Sequence, residues 1–180
     1  MRHHLIPKIA VIILLLSAST KLFATGAGAQ LGCNPGILIN ENKTGLEMFT
    51  GNVTGTVRLA RFPIVAGAGL EGGKLYSDFN YGFSAFADYW LIDYQLNNTW
   101  NLFSGLGLSG KLLTKDFKDC SLAGGARIFA GVNYLLYDGY LEFYAQQNIV
   151  PTCVKNLSKS DSDPAFMLCL PLEAGLRMHF

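Results

Sequence analysis

The stretch from Phe166 to Phe180, FMLCLPLEAGLRMHF, decides the fold class. Its even positions hold Phe166, Leu168, Leu170, Leu172, Ala174, Leu176, Met178 and Phe180. Its odd positions hold Met167, Cys169, Pro171, Glu173, Gly175, Arg177 and His179. Side chains on a strand point alternately to opposite faces, so this is a strand with two unlike faces. A helix would scatter Glu173, Arg177 and the leucines around its axis.

The same period recurs upstream. From Gly124 to Leu136 the even positions include Ile128, Ala130, Val132, Tyr134 and Leu136, opposed by Arg127, Gly131 and Asn133. From Leu141 to Ile149 the odd positions are apolar apart from Gln147, and the even ones are Glu142, Tyr144, Gln146 and Asn148. Asp138-Gly139, between these runs, marks a hairpin turn. Trp100 to Leu112, Phe79 to Leu91 and Ile64 to Glu71 alternate likewise, and two further strands are expected near Gly36 to Glu41 and within Leu46 to Arg61. Together they predict an all-β chain of about eight antiparallel strands, with no convincing helix.

Half of the 180 residues are hydrophobic and only 15% are charged, with 20 glycines, 12 Phe, 8 Tyr and 2 Trp. Such a chain is too apolar for disorder. Its longest uninterrupted apolar run, Ile9 to Leu16, falls well short of the ~20 residues of a membrane-spanning helix. Arg2 and Lys8 precede that run and small residues follow it up to Ala27-Gly28-Ala29, the pattern of a secretory signal. Residues 1–29 are therefore expected to be a leader cleaved after Ala29, or else after Ala24, and 30–180 the mature domain. Removing the cations Arg2, Lys8 and Lys21 turns the formal charge of +1 negative, so no basic patch argues for nucleic acid.

Parity then fixes which face meets lipid. In an outer-membrane barrel the apolar face points outward and small or charged residues line the lumen. The apolar faces here are uniformly large, and the polar faces are rich in glycine. Phe62, Tyr94, Trp100, Tyr134, Tyr137, Tyr140 and Phe180 fall near one set of turns, and Phe49, Tyr76, Phe79, Phe117 and Phe166 near the other. Two aromatic girdles are what the two bilayer interfaces select. Reversing the last strand would face Glu173 and Arg177 to lipid, at up to ~2–4 kcal/mol for a charge near the midplane. The expected architecture is a closed antiparallel transmembrane β-barrel. The turns near Phe62-Pro63, Asn97-Asn98 and Asp138-Gly139 are short and expected to be periplasmic, with both termini. The longer links Leu113 to Ser121 and Pro151 to Pro164 are expected outside.

The ending LPLEAGLRMHF resembles the carboxyl-terminal assembly signal of outer-membrane proteins. The succession FADYWL, NLFSGLGLSGKL, AGGARIFAGVNYLLYDG and LEFYAQQNIVP is similar to small eight-stranded bacterial barrels of the OmpW, OmpX and OmpA membrane-domain type. The resemblance covers Leu31 to Phe180. It implies insertion by the barrel-assembly machinery, with Phe180 as a recognition residue. OmpW-like members are associated with small hydrophobic molecules and OmpX-like ones with surface interaction. The partners it implies are outer-membrane lipid and either a host surface or a small hydrophobic ligand, for a monomeric barrel.

Glu71, Asp88, Lys111, Arg127, Glu142, Glu173 and Arg177 fall on the inward parity and are expected to form a lumen charge network. Eight strands leave an interior just wide enough for side chains to fill or for one small ligand, so paired charges filling the lumen are preferred to a pore lining. Phe86, Trp90, Phe103, Phe129 and Leu135 share that parity. Gly67-x-Gly69-x-x-Gly72 and Gly105-x-Gly107-x-x-Gly110 fit a dinucleotide fingerprint, but each lies within strands, whereas phosphate motifs need a following helix. No G-x-S-x-G occurs, and His179 is the only histidine beyond the leader. Neither catalysis, nor a metal, nor a cofactor is therefore expected. Asp161 and Asp163 lack the remaining ligands of a calcium loop. Cys33, Cys120, Cys153 and Cys169 have no C-x-x-C spacing. With Asp138-Gly139 as the turn, Cys120 falls opposite about Asn156, which suggests a Cys120–Cys153 bridge; Cys153–Cys169 is the rival.

Overall fold

The computed structural model describes residues 24–40, 43–59, 62–117, 119–158 and 163–180. The charged and apolar parts of the expected leader, and Asp161, lie outside the described residues. The strands are β1 (Ala24–Asn40), β2 (Lys43–Leu59), β3 (Ile64–Leu75), β4 (Asp78–Gln95), β5 (Trp100–Thr114), β6 (Cys120–Leu136), β7 (Leu141–Asn156), β8 (Ala165–Cys169) and β9 (Leu172–His179). Successive strands from β1 to β8 pair antiparallel, and β1 closes the ring by pairing with β8 and β9. Since β8 and β9 share both neighbours, β1 and β7, they form one stave interrupted at Leu170-Pro171. The result is an eight-stave barrel without a free edge, one of the two ways a chain can satisfy its backbone within lipid.

Pro35, Pro151 and Pro171 gather around that interruption, and none can donate to the ladder. Other donors brace the gap. Leu170 N–H donates to the Pro35 carbonyl at 2.9 Å. The Pro171 carbonyl accepts from the Asn148 N–H at 2.8 Å, from the Asn148 side chain at 3.1 Å and from the Gln147 side chain at 3.1 Å. Asn148 reaches it from the lumen and Gln147 from the outer face, which accounts for the one amide among the outward residues of Leu141 to Ile149.

Burial follows the parity. Leu70, Phe83, Leu108, Ile128, Phe143 and Leu176 are exposed on the outer face, while Glu71, Asp88, Arg127, Glu142, Glu173 and Arg177 are buried within. The girdle residues Phe62, Tyr94, Trp100, Tyr140 and Phe180 at one end, and Phe49, Phe79, Phe117 and Phe166 at the other, are exposed. A bulge at Leu91 shifts the β4–β5 register between Trp90 and Ile92, so Leu91 and Ile92 both face outward and the alternation resumes in the opposite phase.

Three expectations need correction. The first strand begins at Ala24 and not near Gly36, because Gly26 to Ala29 pair with Arg58 to Gly55 on one side and His179 to Leu176 on the other. The longer links shrink, since β5 runs to Thr114 and β7 to Asn156, leaving 115–119 and 157–164 between strands. The Cys120–Cys153 bridge is absent: all four cysteines are free, Gly124 is the residue opposite Cys153, and Cys120 accepts from Leu157. Four residues of offset along a strand is roughly 13 Å, about twice the Cα separation a disulfide allows. Cys153–Cys169 is also unbridged.

The pairing of Gly26 to Ala29 bears on processing. Cleavage after Ala29 would strip the start of β1 from both neighbours; cleavage after Ala24 leaves every described pair but one. Amino-terminal sequencing of protein recovered from outer membranes is expected to begin at Thr25. A chain starting at Gln30 would contradict the β1–β9 register.

Candidate functional site in the barrel lumen

The lumen is layered. Toward the end that carries the 115–119 and 157–164 links, here the loop end, Met48, Leu75, Leu113, Ala123, Val150, Val154, Met167 and Cys169 pack into a buried apolar cluster. Toward the opposite end, Val65, Trp90, Phe103, Phe129 and Tyr144 form a second cluster, with Phe86 packed against it. Trp90 and Phe103 stack with centroids 4.3 Å apart and planes within 3°. Gly131 is required there, because a Cβ on it would strike the Phe103 ring and the Ala145 carbonyl.

Between the clusters lies the main charge group. Arg127 on β6 contacts Asp88 on β4 through Nε at 2.9 Å and Glu173 on β9 through its terminal nitrogen at 2.7 Å. Its guanidinium also lies 4.5 Å from the centre of the Phe86 ring. Glu173 Oε2 accepts from Gln146 at 2.8 Å and Asn148 at 3.0 Å as well. Nearby, Lys111 on β5 pairs with Glu71 on β3 at 2.6 Å, and Asn34 and Thr50 also donate to the same Glu71 oxygen. At the turn end, Glu142 is held by Arg177 at 2.8 Å, by His179 at 2.8 Å and by the Asn133 amide at 2.8 Å. Arg177 lies 4.8 Å from the Tyr144 ring centre.

All seven charged residues singled out from parity thus face inward, and the structure divides them into three groups. The amides Asn34, Asn133, Gln146 and Asn148 and the Thr50 hydroxyl complete those groups and were not singled out as site residues from the sequence. Gln146 and Asn148 were readable from the β7 alternation; Asn34 and Thr50 were not, because the registers of β1 and β2 were unknown. Leu135 is only partly buried. Phe180 stands at the turn end, its N–H on the Thr25 carbonyl at 3.1 Å.

Little space remains. The inner cavity, bordered by Asn34, Asn52, Glu71, Lys111, Arg127 and Glu173, measures about 20 Å³, room for about one water. The loop end opens instead into a vestibule of about 340 Å³ walled by Tyr76, Asp78, Asn80, Lys115, Asp119 and Asp163. Lys115 pairs with Asp78 at 2.8 Å, and that hydrogen bond, followed by the charge of Asp78, raises the ammonium above the ordinary lysine value.

No protein-family model and no curated protein matches the sequence. Among solved structures the chain is similar to Neisserial surface protein A, at 14% identity with a TM-score of 0.55 over 88% of this chain and 99% of that one. It also matches the N-terminal β-barrel domain of Pseudomonas aeruginosa OprF, at 10% identity and a TM-score of 0.49 over 87% and 99%. The fold is that of the small outer-membrane β-barrels. Within the barrel the inward charges are buried, so an unpaired one would have little water to turn to.

Removing one partner of a buried pair leaves the other uncompensated and costs about 3–5 kcal/mol. Arg127→Ala strands two carboxylates and is expected to lower the urea unfolding midpoint of the detergent-folded barrel accordingly. A midpoint equal to that of the parent would show that Arg127 does not hold the staves together.

Proposed function

We propose that this protein is a closed, integral barrel of the bacterial outer membrane, with a structural or surface-interaction role and no catalytic or conducting one. The observation that carries the reading is the filled lumen. Three charge groups and two apolar layers leave a cavity of about 20 Å³, and each inward charge is engaged by an opposite one. A hydrolytic site would need a base free to move protons near the vestibule. His179 instead sits at the turn end against Glu142.

On this reading the leader carries the chain across the inner membrane, and the barrel-assembly machinery recognises the final strand through Phe180. The short turns lie in the periplasm, and the vestibule opens outward as the surface offered to partners. The name of Neisserial surface protein A accords with such a role. Passage of small hydrophobic molecules is opposed by the packed cluster of Met48, Leu75, Leu113 and Met167, which closes the loop end of the lumen.

Two measurements test the reading. Reconstituted in planar bilayers, the protein is expected to give no single-channel steps; regular steps would replace the plug with a pore. On intact cells, a cysteine-free variant with Asp163→Cys is expected to react with a membrane-impermeant maleimide. Labelling only after the outer membrane is breached would invert the topology.

A further inference from the structure

Glu71 is served unevenly. Its Oε1 accepts from Lys111, Asn34 and Thr50, whereas its Oε2 is buried without a hydrogen-bond partner. Of the other buried oxygens in that condition, two belong to residues that border the same cavity, Oδ1 of Asn34 and Oδ1 of Asn52. Glu71 and Asn34 are almost wholly buried, at 3% and 1% exposure. All three residues border the same inner cavity of about 20 Å³. Apart from Arg127 Nε, which lies 2.9 Å from Asp88, the unmet groups there are acceptors, and a buried acceptor left unmet is costly, more so when charged.

Charge points the same way. Glu71, Asp88 and Glu173 face only Lys111 and Arg127 in this part of the lumen, so carboxylates exceed cations by one. The group at the turn end is a separate one: Arg177 and His179 are both engaged by Glu142 and neither is paired with Asp88 or Glu173. Lys111 is matched by Glu71 Oε1, and the excess lies with the two carboxylates on Arg127, of which Glu173 also borders the cavity. A water molecule would donate to two of the three oxygens and leave the excess charge in place. A divalent ion would overshoot it. A monovalent cation satisfies the oxygens and balances the charge together.

We propose that the cavity between Glu71, Asn34 and Asn52 is a binding site for a small monovalent cation, taken up as the barrel closes. The ion is a structural ligand: it joins β1, β2 and β3 at the level where the Pro35–Pro171 interruption weakens the β1 seam. The site lies between the two apolar layers, so exchange of the ion is expected to be slow.

The barrel is refolded in detergent in sodium, potassium or rubidium chloride, and in N-methylglucamine chloride of the same ionic strength, whose cation is too large for the cavity. A ligand that binds only the folded state raises its stability in a saturable way. The expected result is a thermal midpoint at least ~3 °C higher in one of the small cations, saturating with concentration. Glu71→Gln removes the charge with little change of shape and is expected to abolish the dependence. Asn52→Leu, which leaves the Glu71–Lys111 pair intact, is expected to raise the half-saturating concentration and serves if Glu71→Gln does not fold. Crystals grown in rubidium chloride are expected to show an anomalous peak in the cavity. Equal midpoints in all four chlorides, undiminished dependence in both variants, or a cavity holding only water in crystals grown in a cation that raises the midpoint would each overturn the assignment.

Discussion

The rest of the structure depends on one guanidinium. Arg127 reaches from β6 to Asp88 on β4 and to Glu173 on β9, so a single side chain ties together three staves across the lumen. The net worth of such a buried cluster over an apolar replacement is small, because desolvation offsets attraction. Its force lies in what it forbids. A slip of one residue in β4, β6 or β9 would turn that strand's charge to the lipid, at ~2–4 kcal/mol near the midplane, and leave its former partner unpaired. The cluster is thus a register lock, and the amides of Gln146 and Asn148 sharpen it by serving the oxygens of Glu173.

The outer face obeys the same constraint in mirror image. Lipid offers no hydrogen bonds, and the large exposed side chains of the outer face are mostly leucine, isoleucine, valine, phenylalanine and tyrosine, with Gln147 permitted because its amide is consumed by the Pro171 and Asn148 carbonyls. The bulge at Leu91 shows the parity being reset near a rim. Past it, Asp93 comes within 3.5 Å of Arg58, and Arg58 lies 4.5 Å from the Trp90 ring centre, capping the aromatic layer with a charge close to water.

How much of this was legible depended on contrast between faces. The final strand and β7 set leucine and phenylalanine against glutamate, arginine and asparagine, so both strand and facing could be read from residues alone. The start of β1 offers no contrast: Gly26 and Gly28 face inward, and Ala27 and Ala29 outward. Two small residues in alternation carry no amphipathic signal, and they resemble the end of a secretory leader. The physical reason for Gly28 is tertiary, since a Cβ there would run into the Leu176 backbone. The cysteine pairing failed for a related reason. Parity tells which face a residue occupies but not how far along the stave it lies, and that offset separates Cys120 from Cys153.

The layering explains why the polar middle is stable where it lies. Between the Met48 to Met167 cluster and the Trp90–Phe103 stack, water is excluded and the effective dielectric is low, so each pairing with Arg127 is stronger than at a surface. The same exclusion makes any single breakage costly. A conducting path would need the apolar cluster displaced and the pairs of Arg127 and Lys111 broken in one event, because opening either layer alone leads to a closed chamber. The lumen is therefore packed as part of the barrel wall, with its inner cavity of about 20 Å³ enclosed in the polar middle and the one larger opening on its axis the vestibule at the loop end, among the described residues.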